Sequence, residues 1–148
     1  MHTCGMALGG VPLTDDDLAL VEAARAVIKA NYEYERHHVG AAVRMGDGSI
    51  FTGVHLEAHI GRIAVCAEAV AIGTAQSSGA REVKAVVAVV HPHDGTDEPW
   101  VASPCGMCRE LISDYGPQAE VILPNENGSL VKVAVLSLLP AKYTRDAR

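Results

Sequence analysis

Three thiols and one carboxylate stand at spacings that suit a metal centre: Cys66-Ala67-Glu68 and, further along, Ser103-Pro104-Cys105-Gly106-Met107-Cys108-Arg109. Thiolates are soft donors with high affinity for Zn²⁺, and three protein ligands leave the fourth tetrahedral position open, as a catalytic zinc requires. Glu68 follows Cys66 too closely to be an obvious fourth ligand, yet it can hydrogen-bond whatever fills the open position. A carboxylate so placed takes a proton from water and returns it to a leaving group. The reaction these residues suit is hydrolysis at an electrophilic carbon. Replacing an amino group by a carbonyl on a heteroaromatic ring is a good case, because Glu68 can protonate the ring nitrogen and then the departing ammonia. Three thiolates outweigh one Zn²⁺ by a unit of charge, and Arg109 is a candidate to offset the excess.

Competing readings exist for the same residues. A closed structural zinc would use Cys4 or a histidine as fourth ligand, and a non-catalytic zinc-stabilised binding protein would follow from it. A redox pair at Cys105 and Cys108 would explain neither Cys66 nor Glu68. His91 and His93 suggest a second metal site only through their proximity in sequence.

The elements that must carry these residues are legible from pattern. Residues 1–12 are Gly-rich and read as a flexible lead, with a single domain over 13–143 and a polar tail at 144–148. Thr14 has the makings of an N-cap, Asp17 stands at the capping-box position, and Leu13 with Leu18 can form a hydrophobic staple. Leu18, Val21, Ala24, Val27 and Ile28 then recur at helical spacing to about Ala30. Two strand-like runs, Val39 to Met45 and Ser49 to His55, flank Gly46-Asp47-Gly48, a hairpin turn. Ala64 to Ser77 reads as a buried helix with Cys66 in its first turn and Gly79 as its stop. Val83 to Val90 is an aliphatic strand covered on both faces, His91 to Ala102 a loop, and Cys105 to Tyr115 a helix opening after Pro104. Two more strands, around Val121 to Leu123 and Leu130 to Val135, and a short helical turn near Leu136 to Leu139 complete the order. That order predicts an α/β fold with a mixed, five-stranded sheet and helices on both sides.

The 148 residues fit one domain, and 49% hydrophobic content is ample for its core. A net charge of −6 works against binding phosphate backbones or anionic lipid, so we expect a small-molecule substrate, no nucleic-acid polymer and no membrane. No run is apolar enough for a membrane span and Met1 to Val11 does not read as a signal peptide. With a C-x-x-C better suited to a reducing compartment, the expected location is cytoplasmic.

Cys66-Ala67-Glu68 with Pro104-Cys105-Gly106-Met107-Cys108 resembles the zinc-dependent cytidine deaminase superfamily, in its small three-cysteine homotetrameric branch. The resemblance implies a three-layer α/β/α fold, one Zn²⁺ per subunit on Cys66, Cys105 and Cys108, and Glu68 as proton shuttle. It also implies a homotetramer whose active sites are completed by neighbouring subunits. The default substrate it implies is cytidine or deoxycytidine, giving uridine or deoxyuridine plus ammonia.

Outside the metal centre the chain departs from that pattern. The family's hairpin ends in Asn-x-Glu, which holds a ribose hydroxyl; this chain has His55-Leu56-Glu57. His37 stands where the family usually has a phenylalanine against the substrate, and Ala69 where many members carry an arginine. His55, Glu57 and His37 are therefore the expected substrate-binding residues. Ala69, Phe51-Thr52-Gly53-Val54, Gly73-Thr74-Ala75 and Leu138-Leu139-Pro140 also resemble blasticidin S deaminases. The alternative substrate is accordingly a modified aminopyrimidine nucleoside of that kind, or another amino-heterocycle.

Overall fold

A computed structural model describes residues 8–93, 96 and 98–145. The expected lead falls partly outside them, as do Cys4 and the end of the expected polar tail. Where the lead is described it is tied down: Val11 and Lys132 exchange both backbone hydrogen bonds at 3.0 Å.

Helix α1 spans Asp15–Asn31. Its capping box forms as expected, with the Thr14 N–H donating to Asp17 Oδ2 at 2.9 Å and the Asp17 N–H to Thr14 Oγ1 at 3.3 Å. The buried face consists of Asp17, Leu20, Val21, Ala24 and Ile28, so it is rotated from the expected one. Leu18 is turned to solvent at 49% exposure, which leaves Leu13 packing on the core without the staple partner expected for it.

Strands β1 (Val39–Met45) and β2 (Ile50–Val54) form the hairpin, with Gly40 opposite Val54 and Arg44 opposite Ile50. Gly48 turns it at φ +86°, a backbone conformation that glycine adopts without a Cβ penalty. Helix α2 (Ala67–Ser77) follows, then β3 (Val83–Val90), β4 (Trp100–Ala102), α3 (Gly106–Tyr115), β5 (Glu120–Pro124) and β6 (Leu130–Ala134). A 3₁₀ turn at Val135–Leu138 lies close to the expected helical turn.

The sheet is mixed and its main path runs β2-β1-β3-β5-β6. Among the described residues it has six strands where five were expected. The sixth, β4, lies inside the segment read as a loop and pairs antiparallel with β3, Ala88 opposite Ala102 and Val90 opposite Trp100. One edge of β3 is taken by β1, so β4 and β5 share the other, β5 meeting Ala85 and Val86. The short strand thereby returns the chain beside Ala88 and opens α3 over the middle of β3.

Two apolar clusters lie on opposite faces of this sheet. One joins Leu20, Val21, Ala24 and Ile28 of α1 to Ala42, Val87, Val89 and Ile122. The other joins Ala67, Ala71, Ile72 and Ala75 of α2 and Ile112 of α3 to Val43, Val86, Val121 and Leu123. Helix α2 sits unusually close to the hairpin because Gly53 has no side chain: a Cβ there would meet the Ala71 nitrogen at 2.6 Å.

Candidate active site

Local pairing sets the first thiol. Leu56 and Val65 exchange backbone hydrogen bonds at 2.9 and 3.0 Å, which holds the chain extended up to Cys66. Cys66 is therefore the N-cap of α2 rather than a residue of its first turn. Cys105 is likewise the N-cap of α3, with Pro104 one position before it. Both sulfurs thus stand at the positive ends of helices, where partial charge favours the anion. Cys108 follows in the first turn of α3, buried.

The Sγ atoms of Cys66 and Cys105 are 3.7 Å apart, and all three sulfurs lie within 4.8 Å of one another. Among the described residues no histidine or carboxylate joins them, as a closed structural site would need. Burial pushes the Cys108 thiol far above its ordinary value, and the charges of Glu68, Cys66 and Cys105 add to the effect. Cys66 is also raised, chiefly by burial. At Cys105 burial acts in the same sense but is outweighed by the nearby Cys108 N–H and by hydrogen bonds from the other two thiols, so its pKa falls. A soft divalent cation relieves this conflict by binding all three as thiolates, and the donor set fits Zn²⁺.

Glu68 occupies the first turn of α2 and is 6% exposed. Among the described residues no hydrogen bond ends on its side chain. It lines a cavity of about 180 Å³ together with His55, Cys66, Val90, Ser103 and Cys105. That volume admits several waters or one small ring.

The residues expected to meet substrate divide. His55 lines this cavity. Its Nδ1 accepts the backbone N–H of His38 at 2.8 Å and of Val39 at 3.3 Å, and its Nε2 is 3.7 Å from Glu57 Oε2. Glu57 lines a second cavity of about 600 Å³ with Glu35, Arg36, His38 and His59. The Ala58 N–H, at 3.0 Å from Glu57 Oε1, holds that carboxyl below the ordinary glutamate value. His37 lines neither cavity; its Nδ1 lies 2.8 Å from the His55 carbonyl and donates to it.

Arg109 donates to the Pro104 carbonyl at 3.0 Å, the Leu138 carbonyl at 3.4 Å and Ser103 Oγ at 3.2 Å. Its hydrogen bonds fasten the loop that carries Cys105 and reach no sulfur. His91 and His93 gather with Tyr32, Tyr34 and His38 by ring contact: Tyr32 stacks on His91 at 3.9 Å, and His38 meets His93 at 4.1 Å. Burial, then the neighbouring His93 and His55, lower the His38 pKa. Trp100 is half-exposed in β4. Ser103 and the β3 residues Ala88 and Val90 went unnoticed in the sequence as cavity walls. Only the proline-cysteine unit next to Ser103 pointed towards them.

Residues 14–123 match the cytidine and deoxycytidylate deaminase zinc-binding region. The chain is 52% identical over 136 residues to the blasticidin-S deaminase of Bacillus cereus, across 90% of this chain and 96% of that one. It is 34% identical over 133 residues to a cytidine deaminase of Halalkalibacterium halodurans, across 89% and 96%. Among solved structures, the cytidine deaminase of Burkholderia pseudomallei superposes with a TM-score of 0.70 at 32% identity, covering 88% of this chain and 100% of the other.

Proposed function

This chain belongs to the cytidine and deoxycytidylate deaminase zinc-binding family, and we propose that its substrate is a cytosine-ring nucleoside of the blasticidin S kind, with Cys66, Cys105 and Cys108 as zinc ligands and Glu68 as proton shuttle. It is a zinc-dependent hydrolase that acts on a carbon–nitrogen bond. The observation that carries the substrate is the likeness over nearly the whole chain to a blasticidin-S deaminase, at 52% identity. His55 supports it, since an imidazole replaces the asparagine of cytidine deaminases at the cavity wall. Cytidine and deoxycytidine are the second reading, favoured by the shared fold and by Glu57.

Held by Cys66, Cys105 and Cys108, Zn²⁺ would supply a Lewis acid able to lower the pKa of a water. The chain's own residues do the rest. Glu68 takes a proton from the attacking water and gives it to the ring nitrogen next to the amino-bearing carbon. As the new carbon–oxygen bond forms, the same carboxylate passes the second water proton to the amino group. The carbon–nitrogen bond then breaks, ammonia leaves and the ring carbonyl remains. Burial keeps Glu68 close to the reacting atoms and limits competing water.

The family's homotetramer is part of the same reading. Ile63 and Met107 are 62% and 77% exposed beside Cys66 and Cys108, an apolar surface that a second copy would cover. Three thiols that must be reduced to bind zinc also support a reducing, cytoplasmic setting. No helix among the described residues is long and apolar enough to cross a membrane.

The test is steady-state deamination of blasticidin S, cytidine and deoxycytidine by the zinc-loaded protein and by Glu68→Ala. We expect turnover of blasticidin S with the highest kcat/KM, abolished in the variant. Preference for cytidine would overturn the substrate assignment. Gel filtration with light scattering reads the assembly, and a monomer would remove the tetramer.

A further inference from the structure

Of the three thiols, Cys108 is buried and Cys66 half-buried, whereas Cys105 is exposed and gains little from packing. Nor does the sheet hold it directly. Strand β4 ends at Ala102, and Pro104, immediately before Cys105, has no N–H to donate. One residue meets the backbone on both sides of this cysteine. The Arg109 N–H donates to the Cys105 carbonyl at 3.0 Å, and Arg109 Nε donates to the Pro104 carbonyl at 3.0 Å.

A peptide bond is planar, so the Pro104 carbonyl and the Cys105 nitrogen turn together. Holding that carbonyl sets the peptide plane before the Cys105 Cα, and the backbone hydrogen bond sets the plane after it. Arg109 thereby brackets both backbone torsions of Cys105, which stand at φ −67° and ψ 167°. The loop it closes, residues 104–109, contains Cys108 as well. The other two arms of the guanidinium tie this loop to its surroundings. Nη2 donates to Ser103 Oγ at 3.2 Å, on the wall of the cavity that Glu68 lines. Nη1 donates to the carbonyl of Leu138 at 3.4 Å, in the 3₁₀ turn that packs on the core.

We propose that Arg109 is a positioning residue for the metal centre, which acts through the peptide bond between Pro104 and Cys105 and not by offsetting the charge of the thiolates. An exposed ligand on an otherwise loosely held loop needs its direction fixed from outside, and partners beyond the ligands themselves commonly supply it. A planar fork with several donors suits the task, because it holds three acceptors in one fixed arrangement. The role rests on the zinc-deaminase reading for its metal, whereas the bracketing of Cys105 is a property of the chain.

Three substitutions separate positioning from charge. Glutamine carries its amide nitrogen where arginine carries Nε, so Arg109→Gln keeps the donor to Pro104 and loses the charge. Arg109→Lys keeps the charge but puts a methylene where Nε stood, and Arg109→Ala removes both. Zinc affinity is read by competition with a chromogenic chelator, and ligand geometry by the thiolate charge-transfer and ligand-field bands of the cobalt-substituted proteins. Circular-dichroism melts show whether each variant is folded. We expect Arg109→Lys and Arg109→Ala to bind zinc about 10–100-fold more weakly than the parent, with altered cobalt bands, and Arg109→Gln to stay within about fivefold of it with the parent's bands. Zinc binding by Arg109→Lys as tight as that of Arg109→Gln, or tighter, overturns the proposal, and so does a folded Arg109→Ala protein within about threefold of the parent. If Arg109→Ala does not fold, the glutamine and lysine variants, whose stems cover the same surface, still decide. A parent that binds zinc but deaminates none of the three substrates would sink the functional reading alone, since the affinities and spectra still decide the role of Arg109; a parent that binds no zinc overturns both.

Discussion

Replacing Asp17 by asparagine offers a test of the packing argument that can be made quantitative. The Asp17 carboxylate has no exposed surface, and it receives Arg44 Nη2 at 2.9 Å and Lys132 Nζ at 3.0 Å besides the capping N–H of Thr14. It therefore ties α1 to β1 and β6 at once. Asparagine keeps the volume and one acceptor for the cap, but it removes the charge and turns an NH₂ towards two cations. Breaking a buried pair by removing one partner costs about 3–5 kcal/mol. Lys132 keeps Glu120 at 3.4 Å and both cations retain some exposure, so the lower end applies, about 3 kcal/mol. For a domain of this size that is a fall in Tm of roughly 6–12 °C. The pH dependence has a definite sign. Burial alone would raise the Asp17 pKa, but the Thr14 N–H, Arg44 and Lys132 outweigh it and hold the carboxyl well below the ordinary aspartate value. A depressed folded pKa gives stability that is complete above the unfolded value of about 3.9 and is lost as pH falls below it. Circular-dichroism melts of both proteins from pH 8 to pH 3 should therefore show a gap that is constant near neutrality and narrows below about pH 4. Zinc release on acidification acts on both proteins and leaves the difference interpretable. A gap under 2 °C at pH 7, or one that stays constant down to pH 3, would refute the reasoning.

Three further outcomes follow from the site and its support. Glu68→Gln should bind zinc and melt like the parent, since no hydrogen bond among the described residues ends on that side chain, yet lose about 10²–10⁴ in kcat; ultraviolet assay of aminopyrimidine loss checks this, and retention within tenfold would remove Glu68 as proton shuttle. Zinc affinity should fall steeply as pH is lowered from 8 to 5, because Cys66 and Cys108 are held protonated by burial until metal arrives; competition with a chromogenic chelator reads it, and a flat profile would contradict thiolate ligation. Gly53→Val should lower stability by about 1–3 kcal/mol through overpacking, since even a Cβ there meets the Ala71 nitrogen at 2.6 Å; chemical denaturation measures it, and an unchanged midpoint would mean that α2 shifts without cost.

What could be read from the sequence was local or carried by chemistry. The capping box of Thr14 and Asp17, the Gly48 turn and the cysteine spacing each depend on a few neighbouring residues, and the structure bears them out. What escaped depends on distant partners. β4 is three residues long and exists because β3 offers it an edge, which nothing in Trp100-Val101-Ala102 announces. Cys66 became an N-cap because Val65 pairs with Leu56 across the chain. The face of α1 turned towards Leu20 because Asp17, read only as a cap, also meets Arg44 and Lys132. At the site, His55 was named because it stands where the resembled family has an asparagine, but the direction of its hydrogen bonds needed the backbone of His38 and Val39. The chemistry was thus more legible than the ligand contacts, because metal ligands are confined to few residue types and substrate contacts are not.

The distance along the chain between Cys66 and Cys105, 39 residues, makes the proposed metal site depend on the tertiary fold. In an unfolded chain Cys66 is remote from the neighbouring pair Cys105 and Cys108, and the three sulfurs converge only when α2 and α3 have both docked on the sheet. With these three cysteines as ligands, high-affinity loading would wait for the tertiary structure, and metal content would be a read-out of correct folding.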